Sequence, residues 1–347
     1  MRKSKLIFST LIIGFSPMAF CQTQPSGALF QAYAQREAAA TTEVKARLAA
    51  LRQTLQARRL NFQVTYTKAM EVSLEKLAGT RIPSDIAAII PRQNAQARRL
   101  LLALPPRTSP NACLATASKF SWRDSGKVTD VQDQKTCGSC WAFTAIAAYE
   151  SSYLIRNGGR ATASEQEALN CGDLTDNPIG SCSGGWYGPV FSWMKDTGNT
   201  QRLLVPYLAT QGSCDRRKTV FYKTSTWGFV QDNVTIPSPD QMKQALCSHG
   251  PLAVTVRATD LFQAYKSGVF DENDAGEINH AVTIVGWDDS TQAWLIKNSW
   301  SNQWGIDGYM WIKYGSNKVG FAAAWVEAAA PIVEEKPFFC RVFGLGC

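Results

Sequence analysis

Apolar residues near the start of the chain recur at the spacing of an α-helix. Val44, Leu48, Leu51 and Leu55 lie on one face of residues 41–60, with charged residues on the other faces, which predicts an amphipathic helix. Residues 62–66 then alternate between apolar and polar side chains, as in a strand. Further helices are predicted at 70–77, 84–90 and 93–104, and residues 105–110 have the proline-rich composition of a linker.

The pattern changes after residue 120 and indicates a compact domain of mixed α and β structure. Its first half, to Trp193, has mainly helical periodicity. Its second half contains short apolar runs separated by Gly, Asp or Asn, which predict strands at 252–256, 281–287, 294–297 and 309–313. The sequence therefore predicts an α+β fold that follows a mainly helical N-terminal region.

A helix is predicted to begin at Cys140 and to end at Arg156, because Asn157-Gly-Gly follows an apolar stripe. Cys140 then lies at a helix N-terminus, where free N–H groups and the helix dipole favour an anion. A thiol attacks as its thiolate, so this position suits a nucleophilic cysteine.

The pair in Cys137-Gly-Ser-Cys140 has three other interpretations. A redox pair belongs to a βαβ context, and no parallel βαβ pattern follows here. A zinc site needs further ligands at finger-like spacing, and the chain has only two histidines, His249 and His280. A purely structural Cys140 is the third alternative. We expect no metal and no organic cofactor.

The start of the chain and its cysteine content both point to export. A basic start, an apolar run at 6–20 and small residues near Cys21 predict a signal peptide at 1–21, with an uncleaved anchor as the alternative. The chain has 10 cysteines. An even number remains when Cys21, in the predicted signal peptide, and Cys140, the candidate free thiol, are set aside. This favours disulfides and an oxidising compartment, and we expect a secreted or periplasmic protein.

The net charge of +8 is unevenly distributed. Residues 22–111 contain 13 Lys/Arg and 5 Asp/Glu, a net +8, whereas residues 112–347 contain 20 and 23, a net −3. The basic residues are scattered along helical faces rather than clustered with aromatic residues, so we expect no nucleic-acid partner. Attraction between the two parts is the simpler interpretation.

Residues 120–326 resemble the papain-like cysteine proteases, of the cathepsin and papain type. His280 lies 140 residues after Cys140, and Asn298 lies 158 residues after Cys140. These separations are close to the spacing of that family's nucleophile, base and amide. The blocks that carry the resemblance occur in the family's order: 120–124, Gln134 with 137–143, 164–167, 182–185, 278–282, 297–300 and 304–309. Lys135 and Ser301 stand where the family usually has Gly.

The resemblance implies a papain-like two-lobe fold, in which a helical lobe and a β-barrel-like lobe enclose the active-site cleft. It also implies an inhibitory prosegment at 22–111 with the Pro-rich linker, a peptidase domain at 112–330, and a Cys- and Phe-containing tail at 331–347. Processing is expected between about Arg98 and Lys119, where the linker makes the chain accessible.

The resemblance assigns four catalytic residues. Cys140 is the nucleophile, His280 the acid/base, and Asn298 the amide that orients the imidazole ring. Gln134 and the Cys140 backbone N–H would stabilise the oxyanion, although Gln134 at the surface is an alternative. The rival base, His249, ends a predicted helix and is expected to be an exposed capping residue.

Substrate contacts are predicted at one glycine pair and four other residues. Gly184 and Gly185 would let an extended peptide backbone approach and pair, and a simple turn is the alternative. Trp186 and Tyr187 could wall a subsite together with Asn279, or could pack in the core. Trp300 could cover the Asn298–His280 contact, or could be a plain core residue.

By the same resemblance, Cys137 pairs with Cys182 and Cys171 with Cys214. The cysteines at 113, 247, 340 and 347 allow three connectivities, of which a local Cys340–Cys347 loop is favoured.

The function predicted is that of a secreted cysteine endopeptidase made as a zymogen. Its partners would be peptide or protein substrates and its own prosegment, and we expect a monomer with no membrane contact after signal removal. An exopeptidase of the same fold and a non-catalytic peptide-binding homologue are the alternatives.

Overall fold

The computed structural model of the protein describes residues 24–104, 113–171, 179–215 and 217–332. The predicted signal peptide, the linker at 105–110 and the cysteines at 340 and 347 lie outside these ranges. We call residues 24–104 the N-terminal region and residues 113–332 the C-terminal region.

The helices, in chain order, are α1 (Gly27–Ala38), α2 (Thr42–Arg58), α3 (Leu74–Leu77), α4 (Ile86–Leu101), α5 (Cys140–Asn157), α6 (Glu165–Cys171), α7 (Tyr187–Asp196), α8 (Pro239–His249) and α9 (Asp260–Gln263), with short 3-10 helices at Lys68–Glu71 and Ser316–Lys318. The strands are β1 (Gln63–Val64), β2 (Lys119–Ser121), β3 (Gly180–Ser181), β4 (Gly184–Gly185), β5 (Thr224–Phe229), β6 (Leu252–Val256), β7 (Tyr265–Ser267), β8 (Val269–Phe270), β9 (His280–Asp288), β10 (Ala293–Lys297), β11 (Tyr309–Lys313) and β12 (Phe321–Ala328).

The N-terminal region is mainly helical, as its periodicity predicts, but three details of the prediction were wrong. The helix predicted at 70–77 is interrupted, because a 3-10 helix ends at Glu71 and α3 begins at Leu74. No helix was predicted at α1, where only Leu29 and Tyr33 are buried. The predicted helices at 84–90 and 93–104 form one helix, α4, that continues through Pro91. Both Pro91 and Ala87, whose carbonyl lacks a partner N–H at Pro91, lie on the exposed face, where water can satisfy that carbonyl.

A mixed sheet of eight strands forms the centre of the C-terminal region. Seven strands follow the order β5-β12-β6-β9-β10-β11-β8, and β2 pairs with β9 off this path. Every residue of β9 is buried, because neighbouring strands and helices cover it. The strands predicted at 252–256 and 309–313 match β6 and β11, and β9 and β10 extend the other two by one or two residues.

Two hydrophobic cores define the two lobes. One core is built around α5, α6 and α7 and contains Trp141, Tyr149 and Phe191. The other lies inside the sheet and contains Trp287, Trp304 and Phe262. This arrangement is the α+β, two-lobe fold that the resemblance implies, with α5 packed on β9 and β12 between the lobes.

The N-terminal region contacts the C-terminal region through buried apolar side chains, among them Leu48, Leu51 and Phe62, and through charges of opposite sign. Among the described residues, basic side chains of the first region pair with acidic side chains of the second in the ion pairs Arg47–Asp260, Arg58–Glu272, Lys68–Asp133 and Arg98–Asp232, at 2.8 to 3.2 Å. The Arg47–Asp260 and Arg98–Asp232 pairs are exposed, so each stabilises the contact by only about 0–1 kcal/mol, whereas Glu272 is buried.

The described ranges have neither a membrane-spanning helix nor a metal-binding cluster. Every helix in them is too short or too polar to cross a membrane. They also contain no group of three or more His, Cys, Asp or Glu side chains arranged to hold a metal ion.

Candidate active site

Cys140 is the first residue of α5, as predicted, and is fully buried. The loop before it is held by the Cys137–Cys182 disulfide and by the Gly138 N–H, which donates to the Cys182 carbonyl at 2.9 Å. Gly158 ends the helix in the left-handed conformation, with φ of 74°. The loop and the helix together fix the thiol at the floor of a cleft between the lobes.

His280 begins β9 and is oriented by Asn298, which directly follows β10. The imidazole Nε2 lies 2.8 Å from Asn298 Oδ1. That oxygen also accepts from the Ser299 N–H at 2.8 Å, so it is an acceptor and His280 Nε2 carries the proton. The other ring nitrogen, Nδ1, is buried and has no hydrogen-bond partner among the described residues.

Trp300 covers this pair from above. Its ring centroid lies 4.6 Å from that of His280, with an interplanar angle of 31°, and its side chain is buried. The indole therefore excludes water from the His280–Asn298 hydrogen bond, and that shielding strengthens the bond.

Gln134 is fully buried, which removes the alternative that it is a surface residue. Its Oε1 accepts from the Ser299 hydroxyl at 2.7 Å. Its Nε2 donates to the carbonyls of Cys137 and Leu77, each at 2.9 Å. One N–H of the amide is thus directed at a carbonyl from the N-terminal region.

The N-terminal region crosses the cleft directly over Cys140. Gly79 and Arg81 pair with Gly185 through two backbone hydrogen bonds of 2.9 Å, and the Thr80 N–H donates to the Asn279 carbonyl at 2.9 Å. The Thr80 hydroxyl lies 3.3 Å from Cys140 Sγ. The passage is tight, since a Cβ on Gly79 would lie 1.8 Å from the Gly138 carbonyl oxygen.

This covering changes the ionisation of the pair. Burial raises the pKa of the Cys140 thiol, although hydrogen bonds from Thr80 and nearby backbone N–H groups oppose the change. Burial lowers the pKa of His280 to about 4, against the opposing effect of Asn298. In this state the thiol and the imidazole are both neutral at pH 7.

A second group of buried charges lies behind Asn298. Lys297 donates to the Thr129 hydroxyl at 3.2 Å, and that hydroxyl donates to Glu150 at 2.5 Å. Arg202 joins Glu150 to Glu165. Burial raises the pKa of Glu150 to about 7 and lowers the pKa of Lys297 to about 8. This network ties Lys297, the last residue of β10 and the neighbour of Asn298, to α5 and α6.

The predicted subsite residues separate into two groups. Gly184 and Gly185 form β4, and any Cβ there would collide with Arg81, Gly79 or Trp141. The Asn279 backbone also faces the crossing segment. Trp186 lines a cavity of the helical lobe beside Gly185.

Tyr187 is not a wall of the cleft, and that prediction was wrong. Its ring stacks on Trp186 at 4.1 Å, and its hydroxyl donates to the Ala322 carbonyl at 2.5 Å in the core. Its side chain is fully buried, because it points into the helical lobe rather than into the cleft.

His249 ends α8 as predicted but is not an exposed cap. Its ring stacks on Trp325 at 4.0 Å, and its Nδ1 lies 2.5 Å from Glu327, which also pairs with Arg156. The partners come from β12 and α5, far away in sequence, so helix-end position alone could not indicate them. His280, by contrast, directly precedes Ala281, whose backbone N–H hydrogen-bonds to the Cys140 sulfur.

The backbone conformation explains why the family usually has glycine at the positions of Lys135 and Ser301. Lys135 has φ of 52° and Ser301 has φ of 62°, both in the left-handed region that favours glycine. The chain keeps the conformation of the loops around Gln134 and Asn298 with L-residues at these positions.

Three disulfides lie in the described ranges. They join Cys137 to Cys182, Cys171 to Cys214, and Cys113 to Cys247, and Cys140 is a free thiol. The third pairing was one of the open possibilities among the remaining cysteines. A Cys340–Cys347 loop lies outside the described residues.

Sequence reasoning missed the residues of the crossing segment. Leu77, Gly79, Thr80 and Arg81 contact the cleft, yet only Gly79 carries a signal, and its place just after the helix predicted at 70–77 suggests a helix end. A glycine with so little space around it marks a close backbone approach, which a sequence pattern does not distinguish from a cap.

The sequence matches a family model described as papain family cysteine protease over residues 116–329. Cysteine endopeptidase RepA of Oryza sativa subsp. japonica is 36% identical over 219 residues, 61% of this chain and 56% of that protein. Cathepsin O of Homo sapiens is 36% identical over 225 residues, 61% of this chain and 65% of that protein. The chain thus spans somewhat over half the length of these curated relatives.

Solved structures give the same picture. Bromelain protease from Ananas comosus, in complex with the E64 inhibitor, is 31% identical, with a TM-score of 0.56 over 61% of this chain and 99% of that chain. Digestive procathepsin L2 from Tenebrio molitor larval midgut covers 86% of this chain and 98% of that chain with a TM-score of 0.67, and its 24% identity supports the fold alone. Since the family model covers more than half of the sequence, this chain belongs to the papain family of cysteine proteases.

Proposed function

We propose that the chain is the zymogen of an exported cysteine endopeptidase, and that the N-terminal region is its inhibitory prosegment. The observation that carries the proposal is the contact of Thr80 with Cys140. A segment of the chain pairs with Gly185 on one side and Asn279 on the other, directly over the free thiol at a helix N-terminus. An extended peptide substrate would use the same backbone groups.

The reaction follows from the groups in the cleft. Once the segment has left and water enters, His280 takes the Cys140 proton at Nδ1, the ring nitrogen that Asn298 leaves unpaired. The thiolate attacks the peptide carbonyl carbon, and the oxyanion that forms accepts hydrogen bonds from the Gln134 side-chain N–H and the Cys140 backbone N–H. His280 returns its proton to the leaving amine, and water then hydrolyses the thioester, which releases the acid and restores the thiol.

The same geometry accounts for inhibition in two ways. The Thr80 hydroxyl occupies the space beside the sulfur, and the Leu77 carbonyl occupies one amide N–H of Gln134. The covered pair is also held neutral, because burial disfavours both the thiolate and the imidazolium.

Export is proposed on two grounds, the start of the sequence and the disulfides. Three disulfides in the described ranges fit an oxidising compartment, either outside the cell or in a periplasm. The domain boundaries at 21, 111 and 330 are part of this proposal.

The test is covalent labelling with an epoxide thiol probe after incubation of the full chain at mildly acidic pH. We expect one label per chain at Cys140 and loss of peptidase activity on an internally quenched peptide with blocked ends. Cys140→Ala and His280→Ala should be inactive, Asn298→Ala should keep partial activity because it removes only orientation, and His249→Ala should stay active.

Activity that persists in Cys140→Ala would overturn the assignment. A labelled protein that cleaves no peptide would favour the non-catalytic alternative. Cleavage restricted to peptides with a free end would favour the exopeptidase.

A further inference from the structure

The outer edge of β5 is closed by side chains of a helix rather than by a strand. β5 ends the main path of the sheet, and its inner edge pairs with β12. On its outer edge, the Trp227 carbonyl accepts from Gln93 Nε2 at 2.7 Å, and the Phe229 N–H donates to Asn94 Oδ1 at 2.7 Å. Two adjacent amide side chains of α4 thus take the place of a neighbouring strand's backbone.

Both polar atoms of the Asn94 side-chain amide form hydrogen bonds in this contact. Its Nδ2 donates to the Gln231 carbonyl at 3.1 Å and to Asp232 at 2.8 Å, in addition to the bond that Oδ1 accepts. Its side chain is buried, and the hydrogen bond to the Phe229 N–H is shielded from water, whereas the two bonds from Nδ2 are partly buried. Loss of the amide would leave the Phe229 N–H without its partner.

An apolar stripe on the same face of α4 completes the surface. Ile86, Ile90 and Ala97 are buried and lie above and below Asn94 at helical spacing. Ile86 and Ile90 belong to the core of the helical lobe, together with Trp186 and Phe229. The exposed Arg98–Asp232 pair lies at the far end of the contact.

We infer that the outer edge of β5 is a second docking site, separate from the catalytic cleft, that binds an amphipathic helix carrying adjacent Gln and Asn side chains. Its occupant is α4. The inference rests on the proposed function, because α4 belongs to the proposed prosegment. The cleft is filled by Leu77–Arg81, and α4 begins five residues later, at Ile86.

Two separate sites imply that the prosegment leaves in two steps. The segment over Cys140 can lift while α4 stays in place, so the active site opens before the prosegment dissociates. When α4 leaves, an open strand edge and an apolar surface are exposed together, and another helix of the same pattern would fit them.

Two backbone amides report on the two sites in the full-length chain. The Gly185 N–H is held by the Gly79 carbonyl in the cleft, and the Phe229 N–H is held by Asn94 on β5. Their hydrogen-exchange rates are to be measured in full-length Cys140→Ala, which cannot process itself. The same rates are then measured after Asn94→Leu or Gly79→Ala is added singly to the Cys140→Ala protein.

We expect Asn94→Leu to speed exchange of the Phe229 N–H at least about tenfold and to leave the Gly185 N–H unchanged within about twofold. Gly79→Ala should do the reverse, because its Cβ would collide with the Gly138 carbonyl. Gln96→Leu, on the exposed face of α4, is the matched control and should change neither rate. Gln93→Ala should act in the direction of Asn94→Leu.

Faster exchange at both amides in either variant would mean that the prosegment docks as one unit, and the inference would fail. It would also fail if Asn94→Leu and Gln93→Ala both left the Phe229 N–H protected. The measurement uses no peptidase activity, so its outcome is distinct from that of the thiol-probe experiment.

Discussion

The carbonyl oxygen of Leu77 accepts a hydrogen bond of 2.9 Å from the side-chain amide of Gln134. The two residues are 57 positions apart, and the bond joins the N-terminal region to the loop before Cys140. A carbonyl thus occupies the donor that the proposed mechanism assigns to the oxyanion.

Gln134→Ala is expected to lower kcat of the processed enzyme about 10²- to 10³-fold with little change in KM, because the donor acts mainly in the transition state. The measurement is steady-state kinetics on a blocked peptide. Gln132→Ala is the control, since among the described residues its side chain donates only to the Asp130 carbonyl. A kcat within about twofold of wild type would remove Gln134 from the oxyanion site.

Acid is expected to destabilise the covered state through His280. Its pKa is lowered to about 4 when buried, so the folded chain binds this proton more weakly than the unfolded chain does. The stability associated with neutral His280 is therefore present above about pH 6.5 and is lost as pH falls toward 4. Between pH 7 and pH 5 the loss is about 2 kcal/mol.

The measurement is urea unfolding of full-length Cys140→Ala and of Cys140→Ala/His280→Gln at both pH values. The second protein lacks the titrating ring, so the difference between the two pH slopes isolates His280. Equal slopes would mean that other groups, such as the exposed carboxylates of the interface, carry the acid response.

The Cys113–Cys247 disulfide is expected to restrict where processing can release the prosegment. It joins the start of the C-terminal region to α8. The residues that follow are held as well, because the Ala117 carbonyl accepts from Trp287 Nε1 at 2.9 Å and the Ser118 carbonyl accepts from the Asp289 N–H at 2.7 Å. A cut before Cys113 frees the prosegment, whereas a cut after it leaves the prosegment attached through the disulfide.

We therefore expect the mature N-terminus between residues 102 and 113, narrower than the 98–119 window that the sequence indicates. Intact mass measured with and without reductant checks this. A prosegment fragment that appears only after reduction would place the cut beyond Cys113. A Cys113→Ser/Cys247→Ser chain, in which either cut frees the fragment, is the control.

Lys135→Gly is expected to raise the free energy of unfolding by about 0.5–1 kcal/mol, because it relieves a left-handed backbone at an exposed position. The backbone N–H of residue 135, which donates to Asp133 Oδ1, is present in the glycine variant as well. Lys127→Gly, at a position with ordinary φ, should instead lower the free energy of unfolding by a similar amount. Urea unfolding measures both, and a loss of stability in Lys135→Gly would show that the side chain outweighs the strain.

Local patterns in the sequence determined the elements whose residues act together over a few turns. The helix from Cys140 followed from its apolar stripe and its Gly158 cap, and β6 and β11 followed from short apolar runs between breakers. The order of the blocks around Cys140, His280 and Asn298 was enough to identify the family resemblance, because those blocks are contiguous in the chain.

Tertiary structure alone decided what depends on residues far apart. A proline usually ends or kinks a helix, yet α4 continues through Pro91 because Ile86, Ile90 and Asn94 pack on one continuous surface. His249 is half-buried against Trp325 and Glu327, Cys113 meets Cys247 across 134 residues, and Tyr187 turns into the core toward Ala322. The crossing of Thr80 over Cys140 is the clearest case, since its energy comes from backbone hydrogen bonds to two lobes that exist only once the chain has folded.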